Sequence, residues 1–169
     1  MLLATVEGFT FADVGVVLGM DQDDVRQHVQ AARSAIEDAL SARVLIIEDE
    51  SIIALHIKQI VESLGHETIA IVRTRAEAVA KAQEDRPELI LADISLADGS
   101  SGIDAVKDIL AEQTVPVIFI TAFPERLLTG ERPEPTYLIT KPFEPETVIA
   151  TIGQALLMHR DVDMNSKAA

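Results

Sequence analysis

Five short apolar segments follow one another between residues 43 and 140, with helical patterns between most of them. They lie at residues 44–47, 68–72, 89–92, 115–120 and 137–139. Uninterrupted apolar runs of this length, bounded by turn residues, are typical of strands that are buried on both faces. Strands that alternate with helices form parallel sheets with helices on both sides. The sequence therefore predicts an α/β fold with a five-stranded, parallel, doubly wound sheet.

The helical patterns predict which side chains face the sheet. Residues 51–64 carry so many apolar side chains that we expect a broad buried face, which includes Ile52 and Leu55. A narrower stripe predicts the inner face of the last helix. It consists of Val148, Ile149, Ile152 and Leu156.

The segment from Thr121 to Thr136 departs from this alternation. It contains the helix-breaking residues Pro124, Gly130, Pro133 and Pro135. These residues leave room for only about two helical turns at the place where the alternation predicts a fourth helix. We expect a short, irregular and mobile element here, with Leu127 and Leu128 exposed.

Residues 1–41 have a helical pattern without strands. Residues 10–13 resemble a capping box, Gly19 and Met20 predict a turn, and Asp21 is expected to cap a third helix. The apolar stripe of that helix is Val25, Val29, Ala32, Ile36 and Leu40. Helices joined by a tight turn predict a small all-α helix-turn-helix segment, although a helical cap on the next domain would show the same pattern.

Length and charge limit the classes of protein to which the chain can belong. Its 169 residues suit one α/β domain with a small attachment, and we expect a helical segment at residues 1–41, the α/β domain at 43–158 and a C-terminal tail at 159–169. The net charge of −14 argues against a general nucleic-acid binder, because phosphate affinity comes from Lys and Arg. The chain has no Cys and no apolar run as long as a membrane span. We expect a cytoplasmic protein that binds neither DNA nor membranes.

Acidic residues follow two of the predicted strands at the point where each strand ends. Glu48 and Asp49 follow the first strand, and Asp93 follows the third. The carboxyl ends of parallel strands meet at one edge of the sheet, which is where ligands bind in open α/β folds. Carboxylates gathered there repel one another unless a cation lies between them. The pattern favours a hard divalent metal, and Mg²⁺ above others.

Two other strand ends add a hydroxyl and an ammonium group to the same edge. Thr121 follows the fourth strand and Lys141 the fifth. This set suits phosphoryl transfer to a carboxylate: Asp93 would be the nucleophile, Lys141 would neutralise a phosphoryl oxygen, and Thr121 would bond another. The small Ala122 would leave the site open, and a cis peptide before Pro142 would aim the lysine into it.

Each of these residues also has an ordinary structural explanation. An acid after a strand often caps the next helix, a lysine is often a solvated surface charge, and a threonine can close a strand. Their convergence from four strand ends is what favours the functional interpretation.

Four motifs make the stretch from residue 43 to residue 158 resemble a response-regulator receiver domain. They are V-L-I-I-E-D-E at 44–50, L-I-L-A-D at 89–93, F-I-T-A at 119–122 and K-P-F at 141–143. The resemblance implies a flavodoxin-like fold and assigns the individual roles. Asp93 would be the phosphoacceptor, Glu48 and Asp49 the acid pair with Asp49 a direct Mg²⁺ ligand, Ser95 a backbone-carbonyl ligand, and Thr121 and Lys141 the switch residues.

Departures from the common receiver pattern narrow the family. Ala97 stands where receivers often have proline, and Leu138 stands where many carry an aromatic switch residue. Tyr137, one position earlier, is expected to face the other way. Together with Phe119 and the proline-broken segment, these features resemble the atypical receivers of PhyR-type regulators.

The residues ahead of the receiver agree with that family. Residues 1–40 resemble the helix-turn-helix in region 4 of extracytoplasmic-function sigma factors, on the motif L-L-A-T-V-E-G-F-T-F-A-D-V-G-V-V-L-G-M at 2–20. The family's region-2-like helices are absent, so we expect a fragment or a truncated relative. The resemblance implies a two-component response regulator of the general stress response, phosphorylated by a sensor histidine kinase or a phosphotransfer protein, that sequesters an anti-sigma factor. Such a protein is not an enzyme in the usual sense and catalyses only its own phosphoryl transfer and dephosphorylation.

Two other functions compete with this interpretation. The helix-turn-helix is also compatible with a DNA-binding transcriptional regulator, but Asp21, Asp23 and Asp24 lie where base-contacting residues belong. A Mg²⁺-dependent phosphatase would need a second acid two residues after the nucleophile, and Ser95 occupies that position.

Overall fold

The structure is a computed structural model that describes most of the α/β region and a small part of the helical segment. The described residues are 19–21, 23–28, 31, 41–96, 98–127 and 137–166, and from 160 onward the description covers the backbone alone. The chain divides into two compact units, Met1–Ser41 and Ala42–Ala169. The boundaries of the predicted domains stay a prediction.

In the first unit, residues 23–28 and residue 31 are helical. Asp21 caps this helix as predicted, because its Oδ1 accepts a hydrogen bond from the Asp23 amide at 2.8 Å. Val25 is buried, at 2% exposure. The two helices predicted within residues 1–18, and the predicted continuation of the third helix through residues 32–40, lie outside the described residues.

The second unit contains a parallel sheet of five strands. The strands are β1 (Arg43–Ile47), β2 (Glu67–Val72), β3 (Leu89–Ala92), β4 (Val117–Thr121) and β5 (Tyr137–Thr140). Their order in the sheet is β2-β1-β3-β4-β5, which is the doubly wound, flavodoxin-like order. This confirms the predicted fold class of the α/β region.

Helices cover both faces of the sheet. They are α1 (Ser51–Ser63), α2 (Arg75–Asp85), α3 (Gly102–Glu112) and α4 (Pro145–Ser166). One apolar cluster joins α1 and α4 to one face, and a second joins α2 and α3 to the other. The strands are buried on both sides, which is why they read as continuous apolar runs.

The prediction of a broad buried face on α1 is wrong at Ile52 and Leu55, which are 86% and 53% exposed. A helix that packs on one sheet face buries one stripe, here Ala54, Ile57 and Val61. Ile52 and Leu55 lie outside that stripe and are therefore exposed. Ile149 of α4 is likewise exposed rather than inward-facing.

The segment after β4 begins with a single turn of 3₁₀ helix, Pro124–Arg126. Leu127 is buried at 4% exposure and belongs to the cluster under α2 and α3, so the prediction that it is exposed is wrong. Leu128, like the rest of residues 128–136 and Ala97, lies outside the described residues.

The last helix continues to Ser166, into the segment 159–169 that the sequence predicted as a tail. Residues 167–169 are not among those described. Within the described part of the chain, no helix is both long enough and apolar enough to cross a bilayer.

Candidate phosphoacceptor site

The site lies at the carboxyl edge of the sheet, between β1 and β3. The chain leaves β1 in one direction toward β2 and enters β3 on the other side, so a crevice opens at this edge. Ile47 of β1 pairs with Ala92 of β3, and the next residues are Glu48 and Asp93. Two carboxylates are therefore placed side by side by the register of the strands.

Lys141 joins these two carboxylates. Its Nζ lies 2.8 Å from Glu48 Oε2 and 2.7 Å from Asp93 Oδ2. The three side chains are nearly enclosed, with exposures of 9% for Lys141, 1% for Glu48 and 8% for Asp93. Glu50, which is largely exposed, approaches the same ammonium group at 3.8 Å. The ammonium thus acts as the counter-ion of a buried acidic site.

Burial and pairing act in opposite directions on the pKa values of this group. Burial raises the pKa of Glu48, and its bonds with Lys141 only partly offset that effect. Burial alone lowers the pKa of Lys141, but hydrogen bonds to Asp93 and Glu48 outweigh it, and the pKa is raised above 10.5. Lys141 is therefore charged throughout the physiological range.

The second oxygen of Asp93 is held by the backbone. Oδ1 accepts hydrogen bonds from the Ile94 amide at 2.5 Å and from the Ser95 amide at 3.5 Å. The Gly102 amide donates to the Ile94 carbonyl at 2.8 Å, which draws the start of α3 against this loop. Asp93 is therefore fixed from both of its oxygens.

Asp49 completes a group of three acids. Oxygen atoms of Glu48, Asp49 and Asp93 all lie within 4.8 Å of one another. Such a set of carboxylates, with the half-exposed Asp49 on its open side, fits a hard divalent cation. Ser95, the predicted backbone ligand, follows Asp93 in the same loop.

The other predicted residues lie at the same edge. Thr121 is fully buried, and its hydroxyl accepts a hydrogen bond from the Phe123 amide at 3.2 Å. Ala122 is exposed. The Lys141 amide donates to the Thr121 carbonyl at 2.8 Å, and the Lys141–Pro142 peptide is cis. The prediction of convergence is thus supported by the backbone, while the individual roles stay predictions.

The side chains of Tyr137 and Leu138 in β5 face opposite sides of the sheet, as the sequence predicted. Tyr137 packs against the cluster on the α1 and α4 side, whereas Leu138 packs against the cluster on the α2 and α3 side. The ring of Tyr137 therefore does not lie on the face that Leu138 occupies.

Two family models match the chain, one over the α/β region and one over the N-terminal helical segment. The model described as response regulator receiver domain matches residues 44–153. The model described as the sigma-like domain of the response regulator PhyR matches residues 1–39. The chain belongs to the PhyR-type response regulators.

The similarity to PhyR proteins extends over nearly the whole chain. The phyllosphere-induced regulator PhyR of Methylorubrum extorquens is 54% identical over 160 residues, which cover 94% of this chain and 60% of that protein. The chain therefore spans 60% of the length of this curated relative. A crystal structure of PhyR from Brucella abortus, at 52% identity, has a TM-score of 0.71 and is matched over 98% of this chain and 68% of its own.

A third relative was solved with a partner. It is the co-crystal structure of the anti-anti-sigma factor PhyR with the anti-sigma factor NepR from Bartonella quintana. The identity is 54%, the TM-score is 0.53, and the match covers 93% of this chain and 64% of that one.

Three residues that shape the site of this PhyR-type chain were not found from its sequence. A Cβ on Gly102 would overlap with the Asp93 carbonyl oxygen and would lie 2.9 Å from its carbonyl carbon, so the position requires glycine. Arg73, after β2, donates from Nη2 to the Asp49 carbonyl at 2.8 Å. Arg126 donates from Nη1 to the Ser95 hydroxyl at 3.3 Å. A glycine at the start of a helix was a visible signal, whereas exposed arginines carry none until the fold brings them to the site.

Proposed function

We propose that this chain is a phosphorylation-dependent response regulator in which Asp93 accepts a phosphoryl group and thereby controls binding to an anti-sigma factor. The observation that carries the proposal is the Lys141 ammonium, shared between Glu48 and Asp93 at 2.8 and 2.7 Å in a nearly enclosed site. Burying an ammonium group against two carboxylates costs desolvation energy, which a lysine with a purely structural role avoids by staying exposed. Phosphoryl transfer, by contrast, requires a cation at this place.

The phosphoryl group would come from a phosphohistidine of a sensor histidine kinase or a phosphotransfer protein. A carboxylate oxygen of Asp93 attacks phosphorus, and the P–N bond breaks with its electron pair returning to the donor imidazole. The product is an aspartyl phosphate. The backbone bonds from Ile94 and Ser95 orient the carboxylate for this step.

The neighbouring residues have distinct roles in this proposal. Lys141 neutralises a phosphoryl oxygen, the Thr121 hydroxyl turns toward another, and the exposed Ala122 leaves the approach open. Thr121 is expected to exchange its present bond from the Phe123 amide for the phosphoryl group.

Glu48, Asp49 and Asp93, with the Ser95 backbone carbonyl, would hold Mg²⁺. When bound, the ion neutralises charge on the phosphoryl oxygens and on the acids. Phosphoryl transfer to Asp93 and its later hydrolysis are the only reactions we assign to the chain.

The proposed output is capture of an anti-sigma factor in a general stress response. The support is the sigma-like match over residues 1–39 and the PhyR relative that was crystallised with an anti-sigma factor. Direct DNA binding is not part of the proposal, because Asp21, Asp23 and Asp24 are exposed at the start of the described helix.

The first test is labelling with acetyl phosphate and Mg²⁺, read by intact-mass analysis. Wild type should gain one phosphoryl group, and Asp93→Ala should gain none. Asp98→Ala, which removes an exposed acid in the same loop, is the matched control and should be labelled as wild type is. Undiminished labelling of Asp93→Ala would contradict the assignment.

The second test concerns the partner. A cognate anti-sigma factor is titrated into the protein with and without beryllofluoride, which mimics the phosphoryl group. We expect tighter binding with beryllofluoride, and by linkage a higher beryllofluoride affinity in the presence of the partner. Equal affinity in both states would exclude the switch.

A further inference from the structure

The two oxygens of Asp93 have different surroundings. Oδ2 contacts the Lys141 ammonium at 2.7 Å. Oδ1 has backbone amides as its partners, from Ile94 at 2.5 Å and Ser95 at 3.5 Å. The positive charge that touches this carboxylate therefore lies on one side, and the Ser95 loop forms the other.

Arg126 stands beside the Ser95 loop. Its Nη1 donates to Ser95 Oγ at 3.3 Å, and its guanidinium carbon lies 6.0 Å from the centre of the Phe123 ring. Both contacts leave the side chain exposed. The guanidinium is thus held by a neutral hydroxyl and a ring face, which are weak partners for a cation.

The backbone at Arg126 is fixed by the hydrogen bonds of its turn. The Arg126 amide donates to the Phe123 carbonyl and the Leu127 amide to the Pro124 carbonyl, both at 3.1 Å. The buried Leu127 anchors the turn on the sheet. A rotation about the exposed side-chain bonds moves the guanidinium without moving the backbone.

Phosphorylation would change the charge balance of the site. The acids Glu48, Asp49 and Asp93 already outnumber Lys141, whose ammonium is shared between two of them. A phosphoryl group on Asp93 adds negative charge and strong acceptor oxygens. A guanidinium that exchanges a hydroxyl for such oxygens gains charge-assisted bonds in a planar geometry that suits them.

We propose that Arg126 is a second cation of the phosphoryl site. Its guanidinium is hydrogen-bonded to the Ser95 hydroxyl in the resting protein and turns to the phosphoryl group when Asp93 is phosphorylated. The inference rests on the proposed function, since it requires a phosphoryl group at Asp93.

The test is a fluorine-NMR titration of beryllofluoride, with Mg²⁺ present, into the full chain and its variants. Arg126→Gln should weaken beryllofluoride binding about tenfold, since one charge-assisted interaction is lost. Arg126→Lys, which keeps the charge without the planar fork, should lose about threefold. Both losses should shrink as salt is raised. Arg75→Gln is the control, because this guanidinium is already paired with Asp108 at 2.7 Å, and it should bind as wild type does.

Ser95→Ala separates a phosphoryl contact from a purely structural role. It removes the resting partner of Arg126 and keeps the guanidinium and the backbone carbonyl. We expect Ser95→Ala to lose less binding than Arg126→Gln does, because it keeps the guanidinium. A loss equal to that of Arg126→Gln would show that Arg126 acts by holding the Ser95 loop, and would overturn the proposal.

The remaining outcomes are also informative. Wild-type binding with no loss in Arg126→Gln would overturn the inference about Arg126 alone. No beryllofluoride binding by wild type, together with no labelling of Asp93, would overturn the proposed function as well.

Discussion

The two edges of the sheet use similar charged groups in different surroundings. At the carboxyl edge, Lys141 is paired with Glu48 and Asp93, and all three side chains are at least nine-tenths buried. At the amino edge, Arg43 approaches Glu88 at 3.8 Å, and these side chains are 46% and 53% exposed. Arg43 also donates to the backbone carbonyls of Asp85 and Arg86 at 2.7 and 2.8 Å.

The comparison shows that burial, more than the number of charges, decides what an ion pair does. Water solvates the Arg43 pair whether or not it is formed, so its loss costs little. The Lys141 group has exchanged water for its partners, so removing one leaves the others buried and uncompensated. The acidic site is therefore sensitive to any change of its charge, which is the property that a phosphorylated switch requires.

The largest predicted difference is between Lys141→Met and Arg43→Met. Without metal, Lys141→Met should lower the free energy of unfolding by about 3 to 5 kcal/mol, because two buried carboxylates lose their cation. Arg43→Met should cost about 1 kcal/mol or less. Urea denaturation measures both. Mg²⁺ should restore part of the loss in Lys141→Met and none in Arg43→Met; equal losses in the two variants would refute the contrast between the edges.

The glycines at the two edges give the next contrast. Gly102→Ala should destabilise by about 2 to 3 kcal/mol and lower the labelling of Asp93, because the new methyl group meets the Asp93 carbonyl. Gly65, between α1 and β2, has φ +78° and nothing within 4 Å of an added Cβ. Gly65→Ala should therefore cost about 1 kcal/mol from backbone strain and leave labelling unchanged. Thermal denaturation and intact-mass analysis on both variants provide the check.

A smaller effect is expected from alkaline pH. Because the pKa of Lys141 is raised in the folded state, its contribution is complete below 10.5, the ordinary lysine value, and is lost as the pH rises through the folded pKa. The stability difference between wild type and Lys141→Met should thus fall as the pH rises above 10.5 and through the raised pKa. A Lys141 difference that stays constant over this rise in pH would contradict the pKa shift.

The smallest effect is expected at Asp49. Without metal, Asp49→Ala should raise the free energy of unfolding by about 0.5 kcal/mol, because it relieves repulsion among the three acids. With Mg²⁺ it should be less stable than wild type, because a ligand is missing. Glu88→Ala is the matched change at the amino edge and should lower stability slightly, by the same amount with and without Mg²⁺. Lower stability of Asp49→Ala in the absence of metal would argue against repulsion at the site.

The strands and the positions that follow them could be predicted from the sequence, because both depend on local patterns. A strand that is buried on both faces must be apolar throughout, so β1 and β3 are visible without any tertiary information. Parallel strands end at a common edge, so the meeting of Glu48, Asp93, Thr121 and Lys141 follows from the order of the elements.

The packing of individual side chains could not be predicted in the same way. Ile52 and Leu127 have similar apolar side chains, yet the first is 86% exposed and the second 4%. The difference depends on the rotation of α1 about its axis and on the path of the turn after β4. Neither is encoded in the hydrophobicity of a single residue.

The sequence by itself determined the sheet, its helices and the edge at which the acids lie. Apolar periodicity and the order of the elements can be recognised along the chain without knowledge of the fold. Only the tertiary structure decided that Lys141 divides its charge between Glu48 and Asp93, that Gly102 must lack a side chain, and that Arg126 lies beside Ser95. These contacts join residues from 9 to 93 positions apart, at separations of a few ångströms. The physical reason is that hydrogen bonds and steric overlap fall off within such distances, so they depend on strand register and loop path rather than on residue type.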